Sequence, residues 1–202
     1  MNATATDIDI SEEDRLRADM YNFIGLLLAN PPSKEVLGKT AALTGDESPM
    51  GEAINAMARV AKASRVSAVE SEFMALFIGL GRGELLPYTS FYLTGFLNEK
   101  PLAMLRKDMT GLHISRAPNV FEPEDNIASL LEMMGGMITG RFGAVVPLEQ
   151  QAAFFNKHIG SWAEHFFTDL EAAKSSVFYA PVGSAGKAFM EIEREAFRMD
   201  AG

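Results

Sequence analysis

The sequence predicts an all-α protein, a globular bundle of roughly eight to ten helices. Apolar residues recur at helical spacing along most of the chain, and no segment alternates apolar and polar residues as a half-buried strand does. Proline and glycine clusters separate the periodic stretches and mark the ends of helices. The chain has 202 residues, of which 48% are hydrophobic and 22% charged, so it can bury a stable core.

The first helix is predicted between Ser11 and Ala29. Ser11 is a suitable N-cap, three acidic residues follow it at the positive end of the helix dipole, and Pro31 and Pro32 stop the pattern. A second helix is expected to start near Ser33. The side chains predicted to face the core from the first helix are Leu16, Met20, Phe23, Ile24, Leu27 and Leu28.

Further helices are expected before residue 113. Gly79, Gly81, Gly83 and Pro87 end the helical spacing, and an aromatic segment follows at 88–97. The helices are expected at 49–64, from Val66 to about Gly79, and at about 98–112, where Leu102, Leu105, Met109 and Leu112 face inward.

The segment 113–123 is predicted to be a hinge between two lobes of helices, 11–112 and 124–202. It carries two prolines and an asparagine and has no apolar period. Trp162 is expected in the core of the second lobe, because it shares a helical spacing with Phe166. The helices of that lobe are expected around Ile127 to Ile138, from Pro147 through Phe155, from Trp162 to Leu170, and from Phe189 to Met199.

Composition excludes several classes of protein. The absence of cysteine rules out disulfides, thiolate metal sites and cysteine nucleophiles. The 27 acidic and 18 basic residues give a formal charge of −9, which repels phosphate backbones, so no nucleic-acid partner is expected.

Residues 1–10 predict a flexible, polar N-terminus without a secretory signal. The most apolar run, 23–29, is shorter than the roughly 20 residues that span a bilayer. We therefore expect a cytoplasmic protein without stable membrane insertion.

The glycine-rich loop and the histidines do not indicate a catalytic site. The glycines between 79 and 83 follow no strand and precede no Lys-Ser or Lys-Thr pair, so a helix end and a turn are expected there. His113, His158 and His165 show none of the common metal-binding spacings. We expect partly buried histidines, and neither a metal nor a cofactor.

The acidic segment 121–126 has two interpretations. Pro123 can start a helix, and Glu122, Glu124 and Asp125 suit the positive end of its dipole. Clustered carboxylates also offer acceptors to a guanidinium group, which binds a carboxylate bidentately. The residues alone favour helix capping and leave the guanidinium site open.

A second informative segment, 86–93, carries three aromatic residues beside the glycine loop: Tyr88, Phe91 and Tyr92. They either anchor the segment to the core or line a binding groove. Tyrosine has a flat apolar face and a polar end and loses little entropy when it is ordered, which suits recognition of a peptide. The 12 methionines are expected mainly in the core.

Four motifs follow one another in a specific order. They are Glu72-Phe73 with Leu76-Phe77 and Gly79, then the segment 86–93, then Glu122-Pro123-Glu124-Asp125, and finally His158 with Trp162, Phe166 and the segment 169–171. In this order and spacing they resemble the TorD/DmsD/NarJ family of redox-enzyme maturation proteins, the cytoplasmic chaperones of molybdoenzymes. The resemblance covers most of the chain.

This resemblance implies an all-helical protein that is not an enzyme. Family members bind the signal peptide, often a twin-arginine leader, of a molybdopterin-dependent oxidoreductase catalytic subunit and hold that client until its molybdenum cofactor is inserted. They occur as monomers and as domain-swapped dimers, and the segment 113–123 suits a swapping hinge. The family usually has histidine after Glu-Pro-x-Asp, whereas this chain has Asn126.

Together, the residues and the resemblance predict one client-binding site. Asp125, supported by Glu122, is expected to meet a guanidinium of the signal peptide, and the aromatic segment to receive its apolar run. The alternative is a metal-dependent hydrolase that uses Glu122, Asp125 and His113, and a third possibility is nucleotide binding at the glycine loop. The predicted client-binding residues are Tyr88, Ser90, Phe91, Tyr92, Glu122, Pro123, Asp125 and Asn126.

Overall fold

Helices dominate the computed structural model, which describes residues 10–200. This part of the chain contains ten α-helices, a π-helical segment and no β-strand, which confirms the predicted all-α class. None of these helices is both long and apolar enough to cross a membrane. The predicted flexible N-terminus lies outside the described residues, apart from Ile10. The elements are α1 (Glu12–Ala29), α2 (Lys34–Ala41), α3 (Pro49–Ala63), α4 (Val66–Phe73), the π-helical segment (Met74–Ile78), α5 (Thr89–Thr94), α6 (Lys100–Gly111), α7 (Ile127–Thr139), α8 (Leu148–His158), α9 (Ala163–Ala172) and α10 (Tyr179–Asp200).

Serine side chains begin the first two helices as predicted. Ser11 Oγ accepts the main-chain N–H of Asp14 at 3.0 Å, and Ser33 Oγ accepts that of Val36 at 3.3 Å. Each contact satisfies one of the N–H groups that a helix start leaves without an intrahelical acceptor.

The start of α7 differs from the predicted one. Its N-cap is Asn126, whose Oδ1 accepts the main-chain N–H of Ala128 at 2.9 Å, so the expectation that Pro123 starts this helix is wrong. Pro123 begins a turn instead, and its carbonyl accepts the N–H of Asn126 at 3.2 Å. The asparagine side chain competes for a helix start more strongly than the proline ring does, because it accepts a hydrogen bond.

The last helix is longer than predicted and is capped from a distant segment. It starts at Tyr179 rather than near Phe189. The carboxylate of Glu72 in α4 accepts the main-chain N–H groups of Val177, Phe178 and Tyr179 at 2.7 to 3.0 Å. A carboxylate at this position also complements the positive end of the helix dipole.

The buried face of α1 is rotated relative to the predicted one. Leu16 is 64% exposed, and Met20 and Phe23 are only partly buried. Helix α7 packs along α1, and a Cβ added to Gly25 would lie 3.3 Å from the carbonyl oxygen of Ala128. The two helices therefore approach each other at small residues, which contribute little to a hydropathy stripe. The buried residues of α1 are Ala18, Tyr21, Ile24, Gly25, Leu27 and Leu28.

Helices from both sides of the segment 113–123 share one hydrophobic core. Helix α1 packs against α7, and α10 packs against both α3 and α9. Trp162 is 1% exposed within this core, as predicted. The division into lobes 11–112 and 124–202 around a hinge stays a prediction.

A buried ion pair joins α1 to α10. Arg17 donates through two nitrogens to the two carboxylate oxygens of Glu193, both at 2.8 Å, and the hydroxyl of Tyr21 donates to the same carboxylate at 2.9 Å. Glu193 is fully buried. Its charge is tolerated there because both of its oxygens are hydrogen-bonded.

Candidate functional site

The aromatic and acidic segments that the sequence singled out lie side by side. The N–H of Ile127 donates to the carbonyl of Pro87 at 2.8 Å, and Tyr88 forms an isolated antiparallel bridge with Asn126. The next residues of the aromatic segment form the short helix α5. The structure thus brings most of the predicted site residues to one place.

Asp125 caps α5, a helix that is distant from it in sequence. Its Oδ2 accepts the main-chain N–H of Ser90 at 2.8 Å, and its carbonyl accepts that of Thr89 at 3.0 Å. Asp125 and Ser90 are both 0% exposed. Two buried oxygens here, Asp125 Oδ1 and Ser90 Oγ, have no hydrogen-bond partner within residues 10–200. The expected contact between Asp125 and a guanidinium stays a prediction.

Glu122, in contrast, is exposed, and the hydroxyl of Tyr88 donates to its carboxylate. Burial of part of the carboxylate raises the pKa of Glu122 above its ordinary value, and the nearby charge of Asp125 raises it further, although Asn126 opposes these effects. Pro123 is half-buried between the two acidic residues. Glu122 is thus a carboxylate that a partner can reach, on the surface beside α5.

A second tyrosine, Tyr92 in α5, makes a matching contact. The hydroxyl of Tyr92 donates to Asp169 Oδ2 in α9 at 2.8 Å. The Tyr92 ring lies with its centroid 5.1 Å from that of Trp162 and 6.1 Å from that of Phe166. Burial, together with the hydrogen bond to Asp169, raises the pKa of Tyr92, which keeps its hydroxyl protonated as a donor.

The guanidinium group of Arg82 stacks on the ring of Phe91, the remaining aromatic residue of the segment. The Arg82 guanidinium carbon lies 5.2 Å from the centroid of the half-exposed Phe91 ring. Apolar side chains are exposed near both ends of this region: Leu93 at 47%, Phe96 at 69% and Phe121 at 88%. The surface around α5 therefore combines apolar area with reachable carboxylates.

Glu124 is already paired within the protein. Arg106 donates to Glu124 Oε2 from two nitrogens, at 3.0 and 2.8 Å, and Arg116 lies 3.8 Å from the other oxygen. Burial alone would raise the pKa of Glu124, but the arginine contacts lower it below the ordinary value. The cluster of three carboxylates therefore presents less negative charge to a partner than the sequence indicates.

The three residues that a metal-dependent hydrolase would use, Glu122, Asp125 and His113, do not form a common site. Glu122 contacts Tyr88, Asp125 is buried against α5, and His113 is exposed with a φ of 58°. Within residues 10–200, no group of three histidine, aspartate or glutamate side chains could hold a metal ion. His158 is buried, and its Nε2 lies 2.7 Å from Asp108.

Two residues of this region were not assigned a role from the sequence. Asp169 lies 77 residues from Tyr92, and no periodicity or spacing reports a contact over that distance. Arg82 lies in the glycine loop, and no sequence pattern predicts that its guanidinium stacks on Phe91. The family resemblance included the segment 169–171, but it assigned Asp169 no contact with the aromatic segment 86–93.

Comparisons with known proteins agree on one family. The model of the nitrate reductase delta subunit family matches residues 44–168. A chaperone protein TorD from Aliivibrio fischeri is 28% identical over 135 residues, and one from Aliivibrio salmonicida is 29% identical over 133 residues. Each alignment covers 62% of this chain and spans 62% of the length of the curated relative.

The fold agrees with a solved structure. A protein described as a redox enzyme maturation protein, from Archaeoglobus fulgidus, superposes with a TM-score of 0.59 at 19% identity. The superposition covers 93% of this chain and 99% of the other. Because the family model matches more than half of the chain, this protein belongs to the nitrate reductase delta subunit family.

Proposed function

We propose that this protein is a cytoplasmic maturation chaperone of a molybdopterin-dependent oxidoreductase. It binds the signal peptide, of the twin-arginine type, and the apo form of the catalytic subunit, and it assists insertion of the cofactor before export. It performs no reaction of its own. The observation that carries this proposal is membership of a family whose matched relatives are named as TorD chaperones.

The surface around α5 supports peptide binding. Glu122 and Asp169 are exposed carboxylates, and Phe96 and Phe121 are exposed apolar side chains next to the same region. A signal peptide with two arginines followed by an apolar run has the complementary chemistry, because carboxylates accept guanidinium donors and apolar surface receives the run.

The test is capture of the client from the native cell with the tagged full chain. We expect a molybdopterin-dependent oxidoreductase catalytic subunit that still carries its leader, identified by mass spectrometry. The matched control is the same subunit, co-expressed with its leader deleted, which should be retained much less. Absence of any oxidoreductase subunit from the captured proteins would contradict the proposal.

Alanine variants locate the client surface. We expect Tyr88→Ala, Phe91→Ala and Tyr92→Ala to weaken binding of the leader while circular dichroism stays that of the wild type. Unchanged affinity in all three variants would assign the aromatic segment to a purely structural role.

Size-exclusion chromatography with light scattering then decides whether the active species is a monomer or a domain-swapped dimer.

A further inference from the structure

An open groove of about 540 Å³ lies between the first half of α1 and the second half of α10. Arg17, near the start of α1, binds Glu193 in the second half of α10, and this ion pair is part of the groove lining. At the opposite ends of the two helices, the Tyr179 hydroxyl donates to the carbonyl of Leu27 at 3.0 Å. The two helices that form the groove are therefore antiparallel.

Apolar side chains from both helices line the groove and remain exposed to solvent. Leu16 of α1 is 64% exposed and Ile192 of α10 is 50% exposed, and Ala196 follows one turn further along α10. Met199, which is 74% exposed, continues the α10 stripe by helical spacing. Met20, one turn after Leu16, is only partly buried. Each helix thus presents an apolar stripe that the core of the protein does not fully cover.

The stripe on α1 belongs to the set of residues that the sequence predicts to face the core. Leu16, Met20 and Phe23 recur at helical spacing, but α7 packs against another face of α1, at Gly25. Apolar area that stays exposed on two neighbouring helices is typical of an interaction surface. The part of the predicted stripe that the core leaves uncovered therefore indicates a partner.

The charged residues of the groove indicate the chemistry of that partner. Three of the four charged residues that line it are acidic: Glu12, Glu13 and Glu193. The fourth, Arg17, is already bound by Glu193 and by Asp14, both at 2.8 Å. The positive end of the α1 dipole lies beside the negative end of the antiparallel α10 dipole, so the two offset each other. The exposed carboxylates of Glu12 and Glu13 therefore leave the groove with net negative charge.

We propose that this groove binds a cationic amphipathic helix of a partner protein. Such a helix buries its apolar face against the stripes of α1 and α10, and its lysine or arginine side chains meet Glu12 and Glu13. The groove shares no residue with the surface around α5, so it is a second, separate binding site. The inference goes beyond the proposed function and does not rest on it.

Charge argues against three other occupants of the groove. A second copy bound about a two-fold axis would bring the same carboxylates face to face, in chains that each carry a formal charge of −9. An anionic bilayer surface is repelled by Glu12 and Glu13. Residues 1–9 of this chain precede α1, but they contain two aspartates and neither lysine nor arginine.

The test measures binding of a synthetic helix by fluorescence anisotropy. The probe is a labelled peptide of roughly 20 residues, long enough to form a helix, with leucine at helical spacing and lysine at the other positions. The same peptide with glutamate in place of lysine is the charge control. The protein variants are Leu16→Ser and Ile192→Ser. Leu26→Ser is their matched control, because Leu26 is 51% exposed on α1 but does not line the groove.

Two double variants test the charges of the groove. Glu12→Gln combined with Glu13→Gln removes both exposed carboxylates. Glu70→Gln combined with Glu149→Gln is the matched control, because it removes two exposed carboxylates from α4 and α8. Phe91→Ala shows whether the peptide binds at the surface around α5 instead.

We expect the wild type to bind the lysine peptide and not the glutamate peptide. Leu16→Ser and Ile192→Ser should each weaken binding about tenfold, because each removes an apolar side chain from the interface. The double variant at Glu12 and Glu13 should weaken binding and reduce its dependence on salt. Leu26→Ser, Phe91→Ala and the double control should each bind within about twofold of the wild type.

Full affinity in both Leu16→Ser and Ile192→Ser would overturn the inference while leaving the proposed function intact. Equal binding of the lysine and glutamate peptides, or no binding of either peptide by the wild type, would also overturn it. The two serine variants lie on different helices, so either one decides if circular dichroism shows that the other does not fold.

The other occupants have outcomes of their own. A dimer that sedimentation velocity detects in the wild type and not in either serine variant would assign the groove to a second copy. Binding to phosphatidylglycerol vesicles that both serine variants lose would assign it to a membrane surface. A peptide affinity that rises about tenfold on deletion of residues 1–9 would assign the groove to that segment. Each of these three results would overturn the inference.

Discussion

Asp125 Oδ2 lies 2.8 Å from the main-chain nitrogen of Ser90, so a residue of the connection before α7 caps the helix that carries the aromatic residues. Asp125 is one residue before the N-cap of α7, and it therefore links the starts of two helices. Movement of the connection 113–126 would consequently move α5. Any partner that engages one of these segments acts on the other.

The first prediction concerns this link. Asp125→Ala removes the acceptor of a buried N–H and should lower the free energy of unfolding by about 1 to 3 kcal/mol, measured by urea denaturation. Asp125→Asn should lower the free energy of unfolding by less, because its amide oxygen can still accept the hydrogen bond from the Ser90 N–H. Equal losses in the two variants would contradict the capping role.

The second prediction concerns the buried ion pair between α1 and α10. Arg17→Met leaves the buried Glu193 carboxylate with only the Tyr21 hydroxyl, and it should lower the free energy of unfolding by about 3 to 5 kcal/mol. Arg198→Met is the control, because Arg198 pairs with Glu195 on the surface and should contribute less than about 1 kcal/mol. Adding Glu193→Met to Arg17→Met should restore part of the lost free energy of unfolding. A further decrease in the double variant would show that the unpaired Glu193 charge does not cause the loss.

The third prediction is a pH dependence. Burial lowers the pKa of His158 below its ordinary value of 6.5, although Asp108 opposes this effect. The unfolded chain therefore binds more protons than the folded one near pH 6, and stability should fall as the pH drops below about 6.5. Urea unfolding at about pH 7.5 and pH 5.5 measures this slope.

His158→Gln should flatten that slope, and His165→Gln is the matched control, because His165 is a histidine exposed on the surface. A slope that survives His158→Gln would assign the pH dependence to other groups.

The fourth prediction uses the single tryptophan as a reporter. Trp162 is 1% exposed, its indole N–H donates to the His158 carbonyl at 2.8 Å, and its ring contacts Tyr92. Acrylamide should quench its fluorescence much less in the folded protein than in urea, and binding of the client's signal peptide should change its emission through Tyr92. Strong quenching in the folded state would contradict the packing of the aromatic cluster.

Most helices could be predicted because their signals are local. Ser11 caps α1 as expected, α2 starts directly after Ser33, where a helix start was expected, and Pro147 directly precedes α8. Periodicity and helix-ending residues act over a few positions, so a single sequence contains them completely.

Features that depend on close approach or on distant partners could not be predicted in the same way. The inward face of α1 follows from the contact of Gly25 with α7, which hydropathy does not register. Helix α5 has six residues, too few for a periodic pattern. The pairing of Tyr92 with Asp169 depends on how the whole chain folds.

Helix α5 also has a consequence for biosynthesis. A six-residue helix is far below the roughly 12 residues that an isolated helix needs for marginal stability, so it forms only when later segments hold it. Those segments are Asp125, 35 residues after its contact at Ser90, and Asp169, 77 residues after its contact at Tyr92. On a growing polypeptide, this surface is therefore completed only after residue 169 has left the ribosome, when most of the chain has been translated.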